Sequence, residues 1–254
     1  MLVVSANLQH GHPSAGGPGA ADRLAAAVAN LPGDVVALQE VDKDQPRSGR
    51  VDQTAVVAAA LGLRWHRFAA AFAGRADGLR RRPVPAHVPD TPGYGIALLS
   101  RWPVRSWHVR PLRPGPLRVR RHGGRLGWRV HLDPPRVLLA AVVDAPGGAV
   151  SIACTHLSTD PPTARRQLAE SAWALRTLPG PHLLLGDLNL GADDATAVSG
   201  MRGLARADTF PAARPRRQLD HVLGGPGLRA EGESRAVRLA VSDHRALAVA
   251  VTAA

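Results

Sequence analysis

Residues 149–189 read AVSIACTHLSTDPPTARRQLAESAWALRTLPGPHLLLGDLN, and this stretch decides the fold class. Ala149–His156 is an apolar run closing on Thr155-His156, which predicts a buried strand that delivers polar groups to its end. Thr163–Leu178 has the spacing of an amphipathic helix, with Leu168, Trp173 and Leu175 among its apolar residues. His182–Gly186 is a second short apolar strand, followed at once by Asp187 and Asn189. On the other side, Val137–Asp144 is a further strand, joined to Ala149–His156 through Ala145-Pro146-Gly147-Gly148, a hairpin signal.

The same alternation extends outward. Leu2–Ala6 predicts a strand, and Asp22 a cap for a helix whose Leu24, Ala27, Val28 and Leu31 share a face. Val35–Gln39 predicts a buried strand. Asp52 starts a helix carrying Val56, Val57, Ala60 and Leu61 and ended by Gly62. Residues 64–92, with six arginines up to Arg82 and four prolines after it, read as surface loop. Gly95–Leu99, Val104–Val109, Leu219–Leu223 and Arg245–Val251 complete the strands. No repeat and no composition break divides the chain, so residues 1–254 form one domain of α/β (α+β) class, with sheets packed together and helices outside.

Composition sets limits. With 26 glycines and 22 prolines in 254 residues, the chain falls short of the roughly 25–30% that marks low complexity. It has no apolar run long enough to span a membrane and no export signal at Met1, so a cytoplasmic protein, monomeric by default, is expected. The single cysteine, Cys154, sits in an apolar run and reads as a small buried hydrophobe. A net charge of +12 admits an anionic partner, but only Lys43 among the 32 basic residues is a lysine. That arginine bias also fits the codon composition of a GC-rich genome.

The chemistry lies at the strand ends. Asn7 follows the first strand, Glu40 the second, His156 the hairpin's second strand, Asp187 and Asn189 the next, and Asp243-His244 precede the last. Any one of these reads as a turn former or a structural histidine. Five at equivalent places point to one rim where rigid strands hold polar groups together. Carboxylate and amide oxygens suit a hard divalent ion, whereas no cysteine cluster or paired-histidine helix marks zinc.

The segments Ser5-Ala6-Asn7-Leu8-Gln9-His10-Gly11, Val36-Ala37-Leu38-Gln39-Glu40-Val41, Thr155-His156-Leu157, Gly186-Asp187-Leu188-Asn189 and Ser242-Asp243-His244 resemble the ordered motifs of the endonuclease/exonuclease/phosphatase superfamily. The resemblance runs from residue 5 to 244. It implies a four-layered α/β sandwich, two mixed sheets face to face between helices, and a Mg²⁺-dependent phosphoesterase, with Mn²⁺ able to replace Mg²⁺. It assigns Glu40 as principal metal ligand, with Asn7 and Asp243 completing or orienting the shell. Asp187 becomes the base or water-orienting carboxylate, and Asn189 positions phosphate or the attacking water. His156 and His244 become phosphate donors, and Asp220 holds the tautomer of His244. His221 stands where the family often has an aromatic residue. Gln9 replaces the aspartate of abasic-site endonucleases, and their mid-chain tyrosine has no counterpart, so a dedicated abasic-site role is disfavoured.

The sole tyrosine, Tyr94, reads as part of a strand leading to Ser100-Arg101 and away from substrate. Arg47 reads as a solvated loop arginine, and Arg166 with Gln167 as helix packing. Two stretches that read as irregular and basic, residues 64–82 with Trp65, Phe68 and Phe72 and residues 110–129 with seven arginines and Trp128, could track a phosphate backbone or rest on anionic headgroups. Phe68 and Phe72 also read as core. The expected activity is thus hydrolysis of phosphodiester bonds in DNA or RNA, as an endonuclease or exonuclease. The alternative is a phosphodiesterase or phosphatase on a lipid headgroup or small phosphorylated metabolite. A catalytically silent nucleic-acid-binding module would need no metal carboxylate beside a base.

Overall fold

A computed structural model describes residues 1–11, 19–76, 92–116 and 133–253 in full, and the backbone of Arg82–Pro83, Arg118–His122 and Gly127–His131. The elements run β1 (Leu2–Asn7), α1 (Ala20–Val28), β2 (Val35–Lys43), α2 (Gln53–Leu61), β3 (Trp65–Ala73), β4 (Arg82–Pro83), β5 (Gly93–Ser100), β6 (Val104–Leu112), β7 (Arg118–His122) and β8 (Gly127–His131). There follow β9 (Arg136–Ala145), β10 (Gly148–His156), α3 (Pro161–Arg176), β11 (His182–Asp187), α4 (Ala192–Ser199), β12 (Arg202–Gly203), β13 (Asp220–Gly224), β14 (Leu228–Arg238) and β15 (Arg245–Ala253).

One sheet has the order β14-β15-β1-β2-β5-β3-β4 and the other β12-β13-β11-β10-β9-β6, with β7-β8 a separate hairpin. Each large sheet contains one parallel pair, β1 with β2 and β10 with β11, bridged by α1 and α3 respectively. The remaining pairs are antiparallel, so both sheets are mixed.

Strand parity builds the layers. Val3, Val35, Ala37, Ile152, Cys154, Leu183 and Leu185 face the seam between the sheets. Their neighbours Val4, Val36 and Leu38 pack under α1 and α2, and Ala153 and Leu184 under α3 and α4. Strands covered on both faces must be apolar almost throughout, which is why these runs were legible as buried. The result is the expected four-layered sandwich. No helix among the described residues is long and apolar enough to cross a membrane.

Local signals hold with three corrections. Asp52 caps α2 by accepting from Ala55 N at 3.1 Å, and Gly62, at φ 64°, ends it. Asp22, by contrast, lies inside the first turn of α1, whose cap is Gly19. Residues 64–92 are not all loop, because β3 pairs along β5 and buries Phe68 and Phe72. A register shift between Ala70 and Phe72 breaks its alternation, so it has no two-residue period to read. Nor are residues 110–129 wholly irregular: β6 runs on to Leu112, and β7 and β8 form a hairpin. Residues 77–81, 84–91 and 123–126, with Arg80, Arg81 and Arg125, lie outside the described residues.

Two packing contacts, one across the seam and one within a sheet, are testable. Cys154 is fully buried, donates to the Leu38 carbonyl at 3.4 Å, and has its thiol pushed up to about 12 by burial. It is therefore expected to resist a thiol reagent in the native protein and react stoichiometrically in denaturant, and fast native labelling would contradict this packing. At Gly186 an added Cβ would sit 2.0 Å from the Thr155 carbonyl oxygen. Gly186→Ala should cost about 1–3 kcal/mol in urea unfolding, because β10 and β11 must part.

Candidate active site

Parity also places the site. Asn7 continues the inward series of Val3 and Ser5, His156 that of Ile152 and Cys154, and Asp187 that of Leu183 and Leu185. All three emerge where the core of the seam ends. Glu40 breaks the pattern, since Val35, Ala37 and Gln39 alternate inward and Glu40 should point toward the helices. A register shift between Leu38 and Val41 and a φ of 54° at Glu40 bring it round instead. A non-glycine residue in this region of backbone is strained, and such strain gathers at functional sites.

The Asn7 amide ties the two sheets together. Its Nδ2 donates to Glu40 Oε1 at 3.1 Å and to Asp187 Oδ2 at 3.0 Å, while its Oδ1 accepts from Gln9 N at 2.9 Å. His156 Nε2 and His244 Nε2 approach the same Asp187 oxygen at 3.6 and 3.8 Å. His244 Nδ1 lies 2.9 Å from Asp220 Oδ2, and Phe210 packs on its ring. Asn189 donates its backbone N–H to Asp187 Oδ1 and its side-chain amide to the Leu157 carbonyl, both at 3.1 Å. Ser242 ties the turn before β15 to β1 by donating to the Asn7 carbonyl at 2.7 Å and accepting from His244 N at 3.0 Å.

Seven of the eight residues singled out by sequence thus share one network. Asp243 stands apart: its side chain is exposed, and its backbone N–H donates to Gln9 Oε1 at 3.0 Å. Sequence reasoning gave no role to His10, whose Nδ1 is 3.8 Å from Glu40 Oε2, although it sits inside the first motif. It also passed over Arg136, one arginine among many with no motif around it.

The charges are divided by environment. Burial favours the neutral acid of Glu40, yet His10, His156 and Asn7 pull it down to about 2. Burial and the charge of Asp220 lift Asp187 to about 7. Burial opposes a proton on His244, but Asp220 holds it up to about 9. Burial and then Arg136 push His156 well below its ordinary value. At neutral pH the rim therefore carries an anionic Glu40, a cationic His244 and a neutral His156 around a carboxylate poised to exchange a proton.

Among the described residues at the rim, two places offer oxygen or nitrogen ligands. Asp187, Asp220 and His244 have ligand atoms within 4.8 Å of one another, but all three are buried and already share a proton network. Glu40 keeps about a quarter of its side-chain surface exposed and stays ionised. Mg²⁺ takes one or two carboxylates and retains several waters, so an accessible, ionised carboxylate at the rim fits it better.

Arg47 differs from expectation, while Tyr94 lies in the expected strand, β5. Arg47 donates from Nε and Nη2 to the two oxygens of buried Asp42, each at 2.8 Å, and its guanidinium lies 5.2 Å from the Tyr94 ring centre. It is fixed rather than simply solvated, and with Tyr94 it lines a cavity that reaches toward His156. Arg166 and Gln167 do pack, bonding the carbonyls of Pro114 and Arg113.

Residues 4–244 match the model of the Endonuclease/Exonuclease/phosphatase family. Among solved structures, an endonuclease/exonuclease/phosphatase from Beutenbergia cavernae is 24% identical, with a TM-score of 0.70 over 100% of this chain and 71% of that one. A sphingomyelinase C from Streptomyces griseocarneus is 15% identical, with a TM-score of 0.63 over 98% of both chains. The mannosyl-6-phosphatase Bt3783 of Bacteroides thetaiotaomicron is 16% identical, with a TM-score of 0.64 over 99% of both. A search of curated proteins finds no match. The match spans every element that carries the seam-end site, and the chain belongs to the endonuclease/exonuclease/phosphatase family.

Proposed function

We propose that this protein hydrolyses phosphate esters at the end of the seam, and that Asp187 directs the attacking water. The observation that carries this reading is the Asn7 amide bonding Glu40 and Asp187 at once, which sets a metal-type carboxylate and a base-type carboxylate on either side of one donor. Glu40 would hold Mg²⁺, with Asn7 and Asp243 completing or orienting its shell, and the ion would neutralise charge on the phosphate oxygens.

The chain's own residues do the rest. Asp187, near neutrality in its proton affinity, orients a water and accepts its proton, with Asn189 N–H fixing one of its oxygens. His244, kept protonated by Asp220, donates to a phosphate oxygen where negative charge builds. Neutral His156, beside the same Asp187 oxygen as His244, donates a second bond.

For the substrate we infer a phosphodiester of DNA or RNA, on the strength of the +12 charge and the arginine-rich stretches. A small phosphorylated metabolite is the second reading, favoured by the half-open recess of about 160 Å³ beside the site. The nuclease reading predicts nicking of supercoiled plasmid that needs Mg²⁺, stops with EDTA, and falls about 10²–10⁴-fold in Asp187→Asn purified in parallel. Equal inertness of both proteins would remove nucleic acid as the substrate. Nicking retained by the variant would remove Asp187 as the base.

A further inference from the structure

Arg136, the first residue of β9, is only 8% exposed, and its Nε is buried with no hydrogen-bond partner. Among the described residues no ion pair engages its guanidinium. A buried charge without a counter-ion is costly, and such groups are normally paired or neutralised. Arg136 does not sit in apolar packing either. It lines both a narrow gap against His156 and Tyr94 and the adjoining cavity of about 160 Å³, whose wall also includes Arg47 and Phe72. The two spaces have Tyr94 and Arg136 as common walls, and the larger forms a recess next to the gap that His156 lines.

The walls define what fits. Arg47 is anchored by Asp42 through two of its five N–H groups, leaving donors on a guanidinium already fixed over the Tyr94 ring. Tyr94 in turn stacks on Phe72 with ring centres 5.3 Å apart. The recess therefore has an unpaired cation at its inner end, a second cation at its outer edge and an aromatic floor between them. Its volume is comparable to the roughly 150 Å³ that accepts a benzene-sized guest.

We propose that Arg136, with Arg47 beyond the Tyr94 ring, binds a second anionic group of the substrate, a phosphate or carboxylate next to the phosphate ester that is cleaved. The assignment rests on the phosphoesterase reading for what happens at the neighbouring site, but the anion seat itself does not need turnover. The counter-ion that none of the described residues supplies arrives with the ligand. The second anion could be a flanking phosphate of a polynucleotide or a substituent on a small ester, and the chemistry at Arg136 is the same for both.

Calorimetry in EDTA with ethylphosphonate and with alkane bisphosphonates of two to four carbons tests this without catalysis or metal. At least one bisphosphonate should bind about tenfold more tightly than ethylphosphonate, the preference should vanish in Arg136→Met, and Arg136→Lys should restore part of it. Because Met removes an uncompensated buried charge, Arg136→Met should also melt no lower than wild type. Equal affinity for the one- and two-anion probes, or a preference that survives in Arg136→Met, overturns the proposal. So does an Arg136→Met protein that melts several degrees lower while binding as wild type does, since Arg136 would then be a packing residue. Displacement of the bisphosphonate by a short DNA oligonucleotide assigns the second anion to a flanking phosphate, and failure to displace it assigns it to a small ester. Hydrolysis of p-nitrophenyl phosphate esters is followed separately: a retained two-anion preference without hydrolysis would fault the phosphoesterase reading alone, and hydrolysis without the preference would fault the anion seat alone.

Discussion

One amide side chain spans the seam between the two sheets. Asn7 belongs to the sheet of β1 and β2, and it donates to Glu40 from its own sheet and to Asp187 from the facing one. Those bonds exist only if the sheets meet in one register along the length of the core. The apolar interdigitation of Val3, Ala37, Cys154 and Leu185 is thus a condition for the chemistry as well as for stability, because it fixes the separation at which Asn7 can reach both carboxylates. Ser242 reinforces the link by joining the turn that carries His244 to the Asn7 carbonyl.

Much of this was readable from residue order because doubly covered strands are apolar nearly throughout and end abruptly. Asn7, His156, Asp187 and Asp220 could be placed at one rim from the strand endings and the family motifs. Glu40 is the instructive exception: its motif marked it, but two-residue periodicity sends it to the wrong face, and only the bulge with φ 54° delivers it. β14 was invisible for a different reason. It is an edge strand reading LRAEGESRAVR, mostly exposed and paired only with β15, so no apolar run reports it. α4 is short and carries little periodicity, and Arg136 has no signal beyond its residue type.

The strong positive charge looks different once partners are assigned. Arg101 pairs with Asp34 at 2.9 Å, Arg105 with Asp144 at 2.6 Å, and Arg165 with Asp194 at 2.7 Å, all on exposed surface where such pairs contribute about 0–1 kcal/mol. Arg110 lies 3.6 Å from Glu170 and stacks 5.0 Å from the centre of the Trp173 ring, against α3. These arginines are spent on local contacts. Arg136 differs by being buried and, among the described residues, unpaired, and Arg47 by being fixed at the edge of the recess. Position relative to the seam sets Arg136 and Arg47 apart from these surface arginines.

The central claim is that the site works through a divalent ion held at Glu40 and a proton network centred on Asp187 and Asp220, as two distinct functions side by side. Calorimetric titration of Mn²⁺ into wild type, Glu40→Gln and Asp220→Asn, each checked for native folding by circular dichroism, separates them most directly. The account predicts one site in wild type, lost in Glu40→Gln and kept in Asp220→Asn. Binding that survives in Glu40→Gln and disappears in Asp220→Asn would put the ion in the buried trio and contradict it.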